Sequence, residues 1–221
     1  MIKTTKERIF AKDWGYSRIF LIFVIGCLIG TLYEQCTNYI SNGVWQSRSA
    51  LLYGPFNPTY GIGVALFILV LGKNNDKRKW YMTFFFTFLL GGIAEYFASF
   101  FEECFFNASS WDYTGYFLNI NGRTTIPYMI GWGFAGLIFM KFVYPYLCKL
   151  LMKIPYKIGN LIVICFTIFM AANIILTFTA LYRKDQRLKG KNPKTFIGEF
   201  CDKNYSNEYL EKKYPNMIYH D

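Results

Sequence analysis

Histidine is almost missing from this chain of 221 residues. Its one copy, His220, stands at the C-terminal end, which removes most zinc and haem sites and any Ser-His or Cys-His catalysis within the core. The six cysteines, Cys27, Cys36, Cys104, Cys148, Cys165 and Cys201, include no C-x-x-C pair. Most lie in or beside apolar runs, where a cysteine reads as a small buried hydrophobe rather than part of a disulfide or zinc framework. No G-x-x-x-x-G-K-[ST] loop occurs that could cradle phosphates; Gly72-Lys73-Asn74 lacks both the preceding glycine and the hydroxyl residue. Charge is scarce as well, at 17% of residues.

Apolar and aromatic residues fill the space that charge leaves, at 53% and 21% of the chain. A soluble domain rarely carries so much Phe and Tyr, so the composition points to a membrane protein. The net charge of +10 sits in short clusters flanking apolar runs, as in cytoplasmic loops of membrane proteins, and nucleic acid is not expected as a partner. Four runs approach the roughly 20 residues that cross about 30 Å of hydrocarbon as a helix: Arg18–Tyr39, Trp80–Phe106, Ile126–Leu147 and Ile158–Tyr182. A fifth, Tyr60–Gly72, is short by itself. It reaches sufficient length only if the preceding Gly54-Pro55-Phe56-Asn57-Pro58 stretch dips into the membrane, which is tolerated where irregular backbone is covered by protein or faces a wet cavity. The expected fold is all-α, a polytopic bundle of five or six membrane segments with one broken or re-entrant. Residues 1–182 form the transmembrane domain behind a short N-terminal tail, and 183–221 form a basic, polar C-terminal tail.

Lys3, Lys6, Arg8, Lys12 and Arg18, then Lys73, Lys77, Arg78 and Lys79, then Lys149, Lys153 and Lys157 place the N-terminus and two connections in the cytoplasm. With five spans the C-terminus then lies outside, in conflict with Arg183, Lys184, Arg187, Lys189, Lys191 and Lys194 after the last span. A signal peptide or lipoprotein site ending at Cys27 is disfavoured, because apolar character continues through Leu32.

Charges within or beside the spans mark the candidate site. Glu34 falls near the end of the first span and Glu95 inside the second long one, with Glu102 seven residues further on the same helix face. Such groups are costly in lipid and turn toward the bundle interior or a partner. Arg48, Asp112, Asn121 and Arg123 lie on the same side, and Tyr60 follows the irregular stretch. Gly54, Pro55, Pro58, Gly61, Gly63, Trp111, Gly122 and Trp132 read as the structural frame, and Gly26, Gly30, Gly91, Gly92, Gly131, Gly133 and Gly136 as close helix contacts. Three readings remain open: ion pairs of Arg48 and Arg123 with Glu34 and Asp112 that only lock the assembly, a route for a small polar or charged solute, or a membrane-embedded enzyme. In the last, Glu95 would move a proton while the arginines hold a phosphate-bearing envelope intermediate or lipid.

Taken in order, Gly30, Tyr33-Glu34, Arg48, "GPFNPTYGIG", Glu95 with Ser99 and Glu102, "WDY", "NINGR", Trp132-Gly133 and Pro145 resemble the ABC-transporter type IV permease family of bacterial integral membrane proteins, over nearly the whole chain. The resemblance implies a permease subunit without its own cofactor, which uses ATP only through a separate nucleotide-binding partner docked on the basic cytoplasmic loops, amid membrane lipid and with room for a homo-oligomer. It also implies a cytoplasmic C-terminus, hence an even number of crossings. One departure is Asn173, where the resemblance leads us to expect an acidic residue.

Overall fold

The computed structural model describes residues 8–220, so Lys3 and Lys6 lie outside the described residues. Helices α1 (Tyr16–Asn42), α3 (Trp80–Phe106), the run Ile126–Met152 and α6 (Tyr156–Leu188) are long and apolar enough to cross a membrane. Helix α2 (Pro58–Leu71) is shorter. The chain is thus an all-helical, multi-pass membrane protein.

Residues 43–57 explain how the short α2 completes a pass. The Asn57 amide N–H donates to the carbonyl of Cys27 at 3.1 Å, and Cys27 lies about 17 Å up α1 from its start at 1.5 Å per residue. Tyr53 is pinned to the middle of α6: its N–H donates to Asn173 Oδ1 at 3.1 Å, while Asn173 Nδ2 donates to its carbonyl at 2.7 Å. Leu52 N–H donates to Thr177 Oγ1 at 3.0 Å. The segment therefore descends to mid-depth with its backbone polar groups met by protein, as hydrocarbon demands. Gly54, at φ +73°, makes the turn at its lowest part in a conformation side chains resist. The carboxylate expected at position 173 would serve this loop poorly, since an ionised carboxylate only accepts, whereas the amide offers the acceptor and the donor together.

Pro58 opens α2 and Asn57 caps it, its Oδ1 accepting from Thr59 N–H at 3.1 Å. The second connection ends in the same fashion. Strands β2 (Asn119–Ile120) and β3 (Thr124–Thr125) form a hairpin whose turn holds Asn121 and Gly122 at φ 51° and 67°, the left-handed pair that tight hairpins favour. Thr125 then caps α4 (Ile126–Ile138), with Pro127 in its first turn. Helix α4 continues through a π-helical turn, Phe139–Val143, into α5 (Tyr144–Met152). Pro145 lacks the N–H that would bond the carbonyl four residues earlier, a recognised cause of such a break. Lys141 uses the distortion to reach the carbonyls of Asn75 and Arg78, both at 2.6 Å.

Two packing centres mark the two faces of the bundle. On the face where α1 begins, Phe10, Ile22, Phe67, Leu71, Met140, Tyr144 and Leu151 form one core. On the far face, α7 (Phe196–Asn204) and α8 (Asn207–Lys213) fold back with Cys201, Tyr205, Leu210 and Tyr214 against Leu52, Phe106, Ala108, Ala180 and Leu181. Strand β4 (Ile218–Tyr219) pairs antiparallel with β1 (Ala108–Ser109). The described C-terminal segment thus packs on the face of the bundle opposite to the start of α1. Four helices are long and apolar enough to cross by themselves, and the sunken loop lets the fourteen residues of α2 run from mid-depth to the face where α1 begins. The basic cluster that argued against this placement is largely paired: Arg183 and Arg187 bracket Asp202 at 2.8 and 2.6 Å, Lys184 meets Glu211 at 3.1 Å, and Lys189 meets Asp185 at 2.8 Å.

Candidate functional site

A cavity of about 460 Å³ opens toward the far face between α1, α2, α3 and α4. Both long helices contribute to it through the same spacing. Gly30 and Glu34 stand four apart on α1, and Gly91 and Glu95 stand four apart on α3. Residues four apart share a helix face, so each glycine lies one turn below its carboxylate. At each glycine a methyl group would collide with an aromatic ring from the adjacent short helix, Tyr60 at Gly30 and Trp132 at Gly91. The two rings meet with centroids 5.3 Å apart, forming a floor with Glu34 and Glu95 above it on opposite sides. Gly63 also faces the Trp132 ring, at 3.4 Å from a built Cβ, and Gly61 lies against Cys27 and Phe23 of α1.

Neutral donors hold both carboxylates. Asn57 Nδ2 donates to Glu34 Oε1 at 3.2 Å. The Tyr113 hydroxyl donates to Glu95 Oε1 at 3.1 Å and the Thr124 hydroxyl to Glu95 Oε2 at 2.6 Å. Tyr113 lies in the connecting segment, where burial, then the nearby Glu95 charge, push its hydroxyl well above the ordinary tyrosine range; it therefore stays a donor. Each carboxylate is met from the residues that lead into a short helix, Asn57 before α2 and Thr124 before α4. The halves α1 to α2 and α3 to α4 thus share a plan: a 27-residue helix with Gly-x-x-x-Glu, a connection that reaches its carboxylate, and a helix with Pro in its first turn, which ends at Leu71 in α2 and runs on into α5 after α4.

Arg48 lines the same cavity but does not reach a carboxylate. It donates through Nη2 to Asn38 Oδ1, and its Nε is buried without a partner among the described residues. The expected lock of Arg48 on Glu34 is corrected accordingly: Asn38, one turn beyond Glu34, intercepts the guanidinium. Arg123 is displaced further. It pairs with Glu103 instead of Asp112 and lies over the rings of Tyr96 and Phe100, 5.4 and 5.5 Å from their centroids.

Of the remaining sequence-based candidates, Tyr60, Trp111 and Trp132 line the cavity with Glu34, Arg48 and Glu95. Glu102 is turned away and accepts from the N–H and hydroxyl of Ser110 at 2.8 and 3.0 Å. Asp112 is exposed and binds Thr114, whose hydrogen bonds hold its carboxyl below the usual range. Asn121 donates to the Tyr96 hydroxyl at 2.9 Å. Gly122 turns the hairpin, and the Trp111 indole secures it by donating to the Arg123 carbonyl at 2.9 Å. Pro55 is exposed beside Gly54 and Pro58 starts α2; both shape the loop rather than line the cavity.

Tyr33, Asn38, Asn57, Tyr113 and Tyr128 also line it, and the C-terminal segment contributes Asn216. Asn38, Tyr128 and Asn216 were not singled out by sequence, and Tyr33, Asn57 and Tyr113 entered only within the motifs of the resemblance; the repeated Gly-x-x-x-Glu spacing was the signal that could have marked the paired floor. Among the described residues, no three His, Cys, Asp or Glu side chains gather as a metal site.

A family model described as Putative ABC-transporter type IV matches residues 21–178, which contain α3, all but the first five residues of α1, both connections to the cavity and all the cavity residues named above except Asn216. No curated protein and no solved structure matches the chain.

Proposed function

The chain belongs to that ABC-transporter family, and from this premise we propose that it is a permease-like subunit whose cavity takes a small polar or charged solute, with ATP hydrolysed by a separate subunit. One observation carries the reading. The cavity lies between two halves built alike, each supplying one Gly-x-x-x-Glu face and one aromatic ring, and transporters commonly place the solute at the interface of internal repeats and beside interrupted helices. Movement of one half against the other would change which face the cavity meets.

The basic face bearing Lys73, Lys77, Arg78, Lys79, Lys149, Lys153 and Lys157 is the cytoplasmic one in this reading and the dock for the ATPase. The cavity then opens outward. Mass spectrometry after mild-detergent capture of the tagged chain from its native membrane tests the proposal. A nucleotide-binding subunit should be retained in fixed stoichiometry, with ATP-dependent solute movement on co-reconstitution that is lost in Glu95→Gln. Capture of lipid alone, with no ATPase, would sink it.

A further inference from the structure

We propose that the cavity recognises an alkylammonium group, seated over the Tyr60–Trp132 pair between Glu34 and Glu95. This deepens, and rests on, the reading of the cavity as the solute site. Three observations converge on that ligand.

The first is charge. Glu34 and Glu95 enter the cavity with Arg48 as the cation lining it, and among the described residues neither carboxylate is in an ion pair. Each is met by neutral donors, Asn57 for Glu34 and Tyr113 with Thr124 for Glu95. Buried carboxylates are normally balanced by a cation, and a cationic occupant would supply that balance.

The second is the floor. Trp132 and Tyr60 present touching rings below the carboxylates, and Tyr33 packs edge-on to Tyr60 at 6.3 Å between centroids. Aromatic faces attract ammonium groups through their quadrupole, Trp most strongly, and a nitrogen bearing alkyl groups can pack against them without leaving N–H donors unmet. A metal ion would find rings in place of oxygens there. The third is Arg48 at the mouth, bound to Asn38 with its Nε unpartnered. It stands where an anionic group on the same ligand would be met, so a zwitterion fits the whole cavity better than a simple amine.

Ammonium groups reach such a cavity on a soluble solute or on a lipid headgroup, and one experiment separates the sources. The full chain is placed in phosphatidylglycerol nanodiscs and titrated with tetramethylammonium chloride, with tert-butanol as an uncharged comparator, while tryptophan fluorescence and thermal stability are followed. Expected is a saturable response to the cation alone, weakened about tenfold or more in Glu34→Gln and in Glu95→Gln, the scale seen when a desolvated charge partner is neutralised, and unchanged in Asp112→Asn. Melting of each variant without ligand identifies any that fails to fold, and Asp112→Asn, whose side chain lies outside the cavity, serves as the folded second variant.

No saturable response, an equal response to tert-butanol, or full binding by both glutamine variants would overturn the proposal. Competition by phosphatidylethanolamine added to the discs supports it with a headgroup as the source; absence of competition supports it with a soluble solute. A chain that binds the cation yet captures no ATPase loses the transport reading and keeps this one.

Discussion

Asn173 is one polar side chain in a long apolar helix, and the sunken loop depends on it. It meets both the N–H and the carbonyl of Tyr53, so Asn173→Leu should leave two buried backbone groups unmet, at about 1–3 kcal/mol each. A drop of roughly 2–6 kcal/mol in unfolding free energy, measured by denaturant titration in mixed micelles, is expected, with Asn173→Asp intermediate because one of the two bonds survives. Asp202 makes a different residue-scale case. Hydrogen bonds from Arg183 chiefly, with Arg187, hold its carboxyl below the ordinary range. A depressed native pKa contributes stability that is complete above the unfolded value, about 4, and is lost as pH falls through the native one. Protection of residues 196–213 from protease should therefore be constant from pH 5 to 8 and fall below about pH 4, a fall that Asp202→Asn should abolish by removing the protection at every pH.

At the scale of elements, glycine placement separates contact from filler. A methyl group at Gly30 or Gly91 would meet atoms next to the backbone of Tyr60 or Trp132, whereas Gly131 has open space. Gly30→Ala and Gly91→Ala should each cost about 1–3 kcal/mol from overpacking, while Gly131→Ala should be neutral or stabilising by up to about 1 kcal/mol. Unfolding midpoints of the three variants check this, and equal effects would contradict the packing described. The helices themselves were legible from apolar run length, and the re-entrant stretch from its prolines and glycines, because both signals are local. Arg48 and Arg123 show where legibility ends. Their choice of Asn38 and Glu103 over Glu34 and Asp112 is set by how two loops fold against helices, which no spacing along the chain encodes. Glu102 shared a face with Glu95 as expected, yet Ser110, arriving from the next connection, took it out of the cavity.

For the whole molecule, the testable feature is the placement of the C-terminal segment on the face opposite to the start of α1. Cysteines placed at Lys77 and Asn204 in an otherwise cysteine-free chain should react with an impermeant maleimide from opposite sides of a sealed vesicle, since one lies in the loop before α3 and the other in α7 on the far face. Labelling of both from one side would contradict the arrangement. The sequence reading of five spans conflicted with the charged residues after Tyr182. Their partners, Asp202 and Glu211, sit well downstream, and pairing removes much of the bias that a count of lysines and arginines suggests.

The descent of residues 43–57 to mid-depth also has an electrical consequence. Where water enters from the far face down to the Tyr60–Trp132 floor, the membrane voltage drops mostly across the slab beneath, spanned by the lower part of α2. A charge reaching the floor has then crossed little of the field, and one leaving beyond it crosses most, at about 2.3 kcal/mol per charge per 100 mV for the full drop. Occupancy of the cavity in liposomes should barely respond to an imposed potassium diffusion potential, while passage past the floor should carry nearly all the voltage dependence.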